Sequence, residues 1–458
     1  MALVVSQETF DQVVRENVED LDMDLEEAAE DAIQQFKAQG VDLGNIITDP
    51  NMKKESESEL SSCIAHLSGF KYNDSNDSDL DRDLQTIRKW CDKGIQYRIL
   101  AGKFKAYNAL INVLSQSLDR GKILTSILKT LTSLLTGYPD LFDDDGADAL
   151  LSVLSTSKEA EIVVACLKVA QACCLKHEKN RQKFANREIH TLITSLLELS
   201  NDSAILIETC ELIKLLTLDD DIREQISRAH EHARLIAINN LCILCDLLGK
   251  NRNDMATAPH ILAALSAIVV RNEFCEKVDQ AGGIIHILDI LAAHPDTERV
   301  NLQCLKMIKV LAGNDDVKLH LMQSGASPLL LAAMSRHKGS SVVSSAGCSC
   351  IAALALRSPD NAQVLVDNGA ADALVDALKI HSKNGNVQRA ACLAIRNLVS
   401  RNKGLCATFL SLGVEDLLNS VDKATCWDEA KAALRDLGCN VKLEEPFKGK
   451  GVKLSQGD

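Results

Sequence analysis

The residues best equipped for chemistry lie near the middle of the chain. His230 and His232 flank Glu231, Asp219-Asp220-Asp221 precede them, and Cys242 and Cys245 follow at C-x-x-C spacing. Two imidazoles and two thiols form a zinc-like ligand set. Against that reading, side chains at i and i+2 point apart on a helix. Cys242 and Cys245 also fall in an apolar run, 241–248, where cysteine packs as a small buried hydrophobe. The expectation is a core helix that holds no metal and no cofactor, with the histidines in a solvated loop or helix start.

Other reaction chemistry fails on context. Gly121-Lys122 and Gly449-Lys450 lack the glycine-rich run of a phosphate loop, and no G-x-G-x-x-G, H-E-x-x-H or G-x-S-x-G occurs. No alternating pattern supplies strands to carry such motifs, so no enzyme activity is expected. Charge narrows the partner class. The net charge is −14, and residues 1–50 hold 13 acidic against 2 basic side chains. A phosphate backbone needs a basic footprint, so nucleic acid is not an expected partner.

Sixteen cysteines are scattered singly among alanine and leucine, as at Cys166, Cys210, Cys304 and Cys392. Unpatterned thiols in a chain this long favour a reducing compartment. No basic n-region opens the chain, and no apolar run reads as the ~18–20 residues of a membrane span. The expected location is the cytosol, with the nucleus as a further possibility.

The elements that position these residues repeat. Gly282-Gly283-Ile284-Ile285, Gly325-Ala326-Ser327-Pro328, Gly369-Ala370-Ala371-Asp372 and Gly413-Val414-Glu415-Asp416 align, with leading glycines 43, 44 and 44 residues apart. Gly146 opens an earlier copy, and Lys105 and Glu188 stand where the glycine of two others belongs. Periods in the low forties belong to armadillo and HEAT repeats. Within 358–400, Pro359 starts a short helix that stops at Asn368-Gly369. A second helix covers 371–379 and a third 387–399. Short, longer and longest, with a glycine between the first two, describes an armadillo unit. Polar turns after each third helix, such as 313–316 and 359–361, supply Asn and Asp to cap the next one.

The reading is all-α: a right-handed superhelical armadillo-repeat solenoid of about eight units over 81–440, preceded by an acidic N-terminal helical hairpin. The unit at 219–270 carries an insertion after Asp219-Asp220-Asp221. In the hairpin, within 1–49, Phe10, Val13, Val14, Val18 and Leu21 form one stripe. Ala28, Ala29, Ala32, Ile33 and Phe36 form the other. Residues 50–80 read as a disordered polar linker and 441–458 as a flexible tail.

Several stretches carry a resemblance to the armadillo-repeat family running nearly end to end. They include Gln7-Glu8-Thr9-Phe10-Asp11, Gln39-Gly40-Val41-Asp42-Leu43, Cys174-Leu175-Lys176-His177-Glu178 with Asn180-Arg181-Gln182, and Arg271-Asn272-Glu273-Phe274-Cys275. That resemblance implies a non-enzymatic cytosolic or nuclear protein that binds other proteins. Members that grip extended peptides use a ladder of Asn along the third helices. Here that position reads Ala267, Val310 and Ala353, with Asn397 the one match. The same helices carry Lys168, Lys214, Lys306, Lys309, Arg389 and Arg396, which would favour an acidic partner segment or the chain's own N-terminus. His230-Glu231-His232 also resembles the alternating-histidine motifs of a histidine methyltransferase, making His230 and His232 candidate modification sites. Glu231 departs from the small middle residue those motifs favour. The expected function is a monomeric protein–protein interaction scaffold, the alternative being a chaperone or transport adaptor with many clients.

Overall fold

The computed structural model describes residues 3–71, 77–199, 202–422 and 424–441. They fall into two compact units, Met1–Leu247 with Ala263–Val270, and Leu248–Leu262 with Arg271–Asp458. The first opens with the hairpin, Gln7–Leu21 (α1) and Leu25–Ala38 (α2). Ser6 and Asp24 cap these helices by accepting amide protons from Thr9 and from Glu26 and Glu27. Phe10 and Val14 pack on Ala28, Ala29, Ala32 and Phe36 in one apolar cluster. Two-residue strands, Leu3–Val4 (β1) and Val41–Asp42 (β2), pair in parallel beside it. Runs that short leave no alternating pattern to read.

The disordered linker expected over 50–80 is corrected by a helix, Pro50–Ser68 (α3), capped by Asp49 with Pro50 at its first position. Its polar composition conceals a buried stripe of Ser56, Leu60, Ile64 and Leu67. One such residue per turn suffices because the next helix, Asp77–Lys93 (α4), completes the core against it. The Trp90 indole also donates to Glu59 at 2.7 Å. The array therefore begins at α3 and not at residue 81. Residues 72–76 lie outside the described residues, as do 442–458, where the flexible tail was expected.

Full repeats follow: Ile95–Lys103 (α5), Ala106–Gln116 (α6) and Gly121–Leu135 (α7), then Asp144–Thr156 (α8) with Ala160–Cys174 (α9). Next come Glu178–Asn186 (α10), Ile189–Leu199 (α11) and Ser203–Leu216 (α12). Loop 217–228 then takes the place of a first helix before Ala229–Lys250 (α13) and Ala258–Ile268 (α14). The remaining repeats belong to the second unit. They are Asn272–Gln280, Gly283–Ala293 and Glu298–Leu311 (α15–α17), then Asp315–Gln323, Ala326–Arg336 and Ser341–Ala355 (α18–α20). Pro359–Asp367, Ala370–Ile380 and Gly385–Ser400 (α21–α23) precede Cys406–Ser411, Val414–Asn419 and Trp427–Leu437 (α24–α26). Third helices stack side by side within each unit: α4, α7, α9 and α12 in the first, and α17, α20, α23 and α26 in the second.

One helix corrects the reading that no run approaches a membrane span. At 22 residues and a mean hydropathy of 1.2, α13 meets the length and composition of a span. Over half of that window, 56%, is buried inside the protein, the mark of a core helix.

The repeated glycines do the job their spacing implies. Gly282, Gly325, Gly369 and Gly413 link first to second helices with φ of 75°, 87°, 100° and 75°. Lys105 and Glu188 occupy the same left-handed position at 63° and 54°. Gly146 does not: it lies in the first turn of α8, where a Cβ would sit 2.0 Å from the Tyr107 hydroxyl. The polar turns divide their work. Asn314 caps α18 through its carboxamide oxygen, whereas Asn180 and Asn361 donate back to Cys173 and Leu354 carbonyls at 3.0 and 3.1 Å. At Gly369 a Cβ would meet nothing within 4 Å, so Gly369→Ala isolates backbone strain. It should destabilise the chain by about 1–2 kcal/mol in urea unfolding, whereas Glu188→Gly should not lower stability.

Candidate functional site

The histidine–cysteine cluster is dispersed by the fold. Both pairs lie on α13, and ten residues of helix separate His232 from Cys242 by ~15 Å. Cys245 is buried and Cys242 exposed. Among the described residues no group of three or more His, Cys, Asp or Glu is placed to hold a metal. His230 is exposed, but His232 is buried in the first turn of α13. Its Nδ1 lies 3.1 Å from the Leu216 carbonyl, which only accepts, so the proton resides on Nδ1. Burial lowers the His232 pKa and leaves Nε2 enclosed, with no hydrogen-bond partner among the described residues. As a candidate modification site, His232 is therefore buried, whereas His230 is exposed.

Two of the three aspartates, Asp220 and Asp221, serve a different cluster. Asp220 accepts from Arg181 at 2.6 Å, and the same guanidinium, fully buried, donates to Glu178 at 2.9 Å and to the Cys174 carbonyl. Asp221 accepts from the Glu178 amide at 2.9 Å and pairs with Arg223, which reaches Asp140 at 2.8 Å. Glu178 also accepts the Arg228 amide at 3.0 Å. These contacts fasten loop 217–228 to the N-terminus of α10 by both ends. The signal was present in His177-Glu178 with Asn180-Arg181, but only the fold brings Asp220 and Asp221 to them.

Two consequences are measurable. Hydrogen bonds from Arg223 depress the Asp221 carboxyl well below the usual range. Burial raises Glu178, but the hydrogen bonds from Arg228, Gln182 and Arg181 outweigh it, so its pKa is also lowered. Both contribute stability that is present above the ordinary carboxylate pKa of ~4 and lost as pH falls below it. Buried His177 and His232 are likewise lowered, so their contribution is complete above ~6.5 and declines with acidity. Urea unfolding should show stability decreasing below pH ~6.5 and more steeply below ~4. Arg181→Met leaves Glu178 buried and unpaired, and should lower stability by roughly 3–5 kcal/mol.

The basic residues of the third helices separate into two groups. Lys168 pairs with Glu208 at 3.4 Å and Lys214 with Glu211 at 2.7 Å, both in the first unit. In the second, Arg389 pairs with Glu429 at 3.1 Å and Arg396 with Asp436 at 3.4 Å. Asn397, the one ladder position, donates to the Ala352 carbonyl at 2.9 Å and so joins α23 to α20. Those four cations and Asn397 are engaged within the array. Lys306 and Lys309 are exposed on α17 and form no ion pair with another described residue. They line a cleft of about 300 Å³ with Ser341, Ser345 and Ser349 of α20 and with Asn384 and Asn386 at the start of α23. No carboxylate lines that cleft. An electropositive recess with hydroxyl and amide donors can receive an anionic side chain, and it holds no pairing of nucleophile and base.

Comparison with known proteins agrees with this anatomy. The armadillo repeat-containing protein 6 N-terminal domain profile matches residues 2–62, and the ARMC6 profile matches 59–456. The armadillo repeat-containing protein 6 homolog of Drosophila melanogaster is 36% identical over 80% of this chain and 80% of its own length. Armadillo repeat-containing protein 6 of Homo sapiens is 35% identical over 98% of this chain and 94% of its own. Among solved structures, an engineered protein superposes with a TM-score of 0.69 at 14% identity, covering 94% of this chain and 99% of that one. Another is described as "A conserved phosphorylation switch controls the interaction between cadherin and beta-catenin in vitro and in vivo". It superposes at 0.65 and 15% identity, over 94% of this chain and 85% of its own. At those identities the structures speak for the armadillo fold alone, while the profiles and relatives span both the hairpin and the repeats: the chain belongs to the armadillo repeat-containing protein 6 family.

Proposed function

We propose that the chain is a non-enzymatic interaction scaffold whose second unit grips an extended acidic segment of a partner protein in the cleft of α17, α20 and α23. The unpaired Lys306 and Lys309 carry this reading. Four of the six candidate cations are paired with neighbouring carboxylates, which leaves Lys306 and Lys309 as the two that form no ion pair with another described residue. A partner carboxylate there would meet two ammonium groups and several hydroxyl and amide donors, without displacing an internal ion pair. Family membership supports protein binding in general, as does the interaction of cadherin with beta-catenin in a fold neighbour. Sixteen free cysteines support a reducing compartment, the cytosol or nucleus.

A fluorescein-labelled Glu-rich peptide without helical patterning provides the test. Lys306→Glu/Lys309→Glu should weaken its binding roughly ten-fold or more at low salt. Lys168→Glu/Lys214→Glu should have little effect. Equal loss in both double variants, or none in either, would overturn the assignment. Purification from cells as one stoichiometric complex would support a scaffold, and a broad client set the adaptor alternative.

A further inference from the structure

The cleft that holds Lys306 and Lys309 is not cationic along its whole length. Leu302 of α17 and Val342 and Ala346 of α20 complete its lining. Val342 is 53% exposed and Leu302 is half-buried. Both depart from the pattern of the repeat. Val342 is the second residue of α20, where α17, α23 and α26 have Arg299, Asn386 and Asp428. Leu302 is the fifth residue of α17, where α20, α23 and α26 have Ser345, Arg389 and Lys431. Single surface aliphatics are ordinary, but these two stand at polar positions of the repeat and line the same recess.

The register of the two helices sorts that lining into two ends. As third helices of successive repeats, α17 and α20 run side by side in the same direction. The thiol of Cys350 donates to the Leu305 carbonyl at 2.7 Å, which sets Ser349 at about the level of Lys306. Val342, seven residues before Ser349, therefore lies ~10 Å nearer the helix starts. Leu302 precedes Lys306 by one turn, ~6 Å, on the same wall. The aliphatic side chains thus occupy the end near the helix starts and the two ammonium groups the other end.

We infer that the cleft selects a partner segment in which an aliphatic residue lies two residues from a pair of carboxylates. The inference rests on the acidic-segment reading of this cleft and adds the element that makes it specific. In an extended chain, residues i and i+2 point to the same side ~7 Å apart, which fits the ~6–10 Å from the aliphatic end to the lysine level. The carboxylates would meet Lys306 and Lys309, while the aliphatic side chain would cover Leu302 and Val342. A purely acidic run would instead press a carboxylate against Val342, losing water there without gaining a counter-charge.

Two fluorescein-labelled peptides of identical composition, titrated with the full chain at low salt and read by anisotropy, provide the test. One contains Leu-Gly-Glu-Glu-Gly-Leu, which offers a leucine two residues from the acidic pair in either chain direction. In the other, glycine and serine spacers move both leucines well beyond the reach of the cleft. The first should bind roughly five-fold or more tightly than the second. Leu302→Ser/Val342→Ser should abolish that preference while leaving the second peptide's affinity unchanged, which shows that the cleft is still folded. Lys306→Glu/Lys309→Glu should weaken both peptides. Equal affinity of the two peptides, or a preference that survives Leu302→Ser/Val342→Ser, would overturn the inference and leave the cationic cleft standing. Binding of neither peptide, or binding indifferent to the lysine variant, would overturn the cleft reading and this inference with it.

Discussion

Each repeat of this protein leaves the apolar face of its third helix uncovered, and the third helix of the next repeat covers it. That dependence organises the rest. In the second unit α17, α20, α23 and α26 lie in a row, with Cys304, Cys348, Ile351, Ala391 and Ile395 all fully buried within it. Burial of apolar side chains at this density drives stacking, but it is non-directional. Register comes from the joints. Left-handed residues, glycine in four repeats and Lys105 and Glu188 in two, turn the first helix into the second, and asparagines of the polar turns tie the ends of helices to carbonyls nearby. The thiols follow the same logic: burial pushes Cys91 and Cys392 up to about 12, so they act as apolar packing atoms and not as nucleophiles.

Side-by-side helices also place charged residues of one repeat beside those of the next, and three of the six candidate binding cations are paired this way. Lys168, Arg389 and Arg396 each find a carboxylate on the neighbouring third helix, and Lys214 finds one on its own. Such exposed pairs contribute little stability individually. Lys306 and Lys309 line a cleft with Ser341, Ser345 and Ser349 of α20 instead, and no carboxylate lines it.

The middle of the chain shows the same principle inverted. The repeat that lacks a regular first helix holds its substitute loop by buried and half-buried ion pairs. Asp220 and Asp221 enter the space beside α10, where Arg181, Glu178 and Arg223 satisfy them. Buried charges of this kind are weak contributors to net stability but strict about partners, since each unpaired member would be left in a low dielectric. Of the stretch that looked most chemical in the sequence, Asp220 and Asp221 thus brace an irregular repeat.

Much of this was legible from residues alone, for reasons of period. The steps of 43 and 44 residues between glycines, the three helix lengths within a repeat and the two apolar stripes of the hairpin are local patterns, and local patterns survive folding. The helix over 50–68 escaped because its apolar residues come only once per turn. Their burial depends on α4, which is absent from any local window. Gly146 escaped because its glycine is required by the Tyr107 hydroxyl of another repeat and not by its own φ. The sequence by itself determined the repeat, its helices and the absence of reaction motifs, since these follow from spacing along one chain. Only the tertiary structure decided which cations are free and which side chains share a cleft with them. Both depend on which side chain from some forty residues away arrives alongside, and charge and burial are properties of neighbours in space.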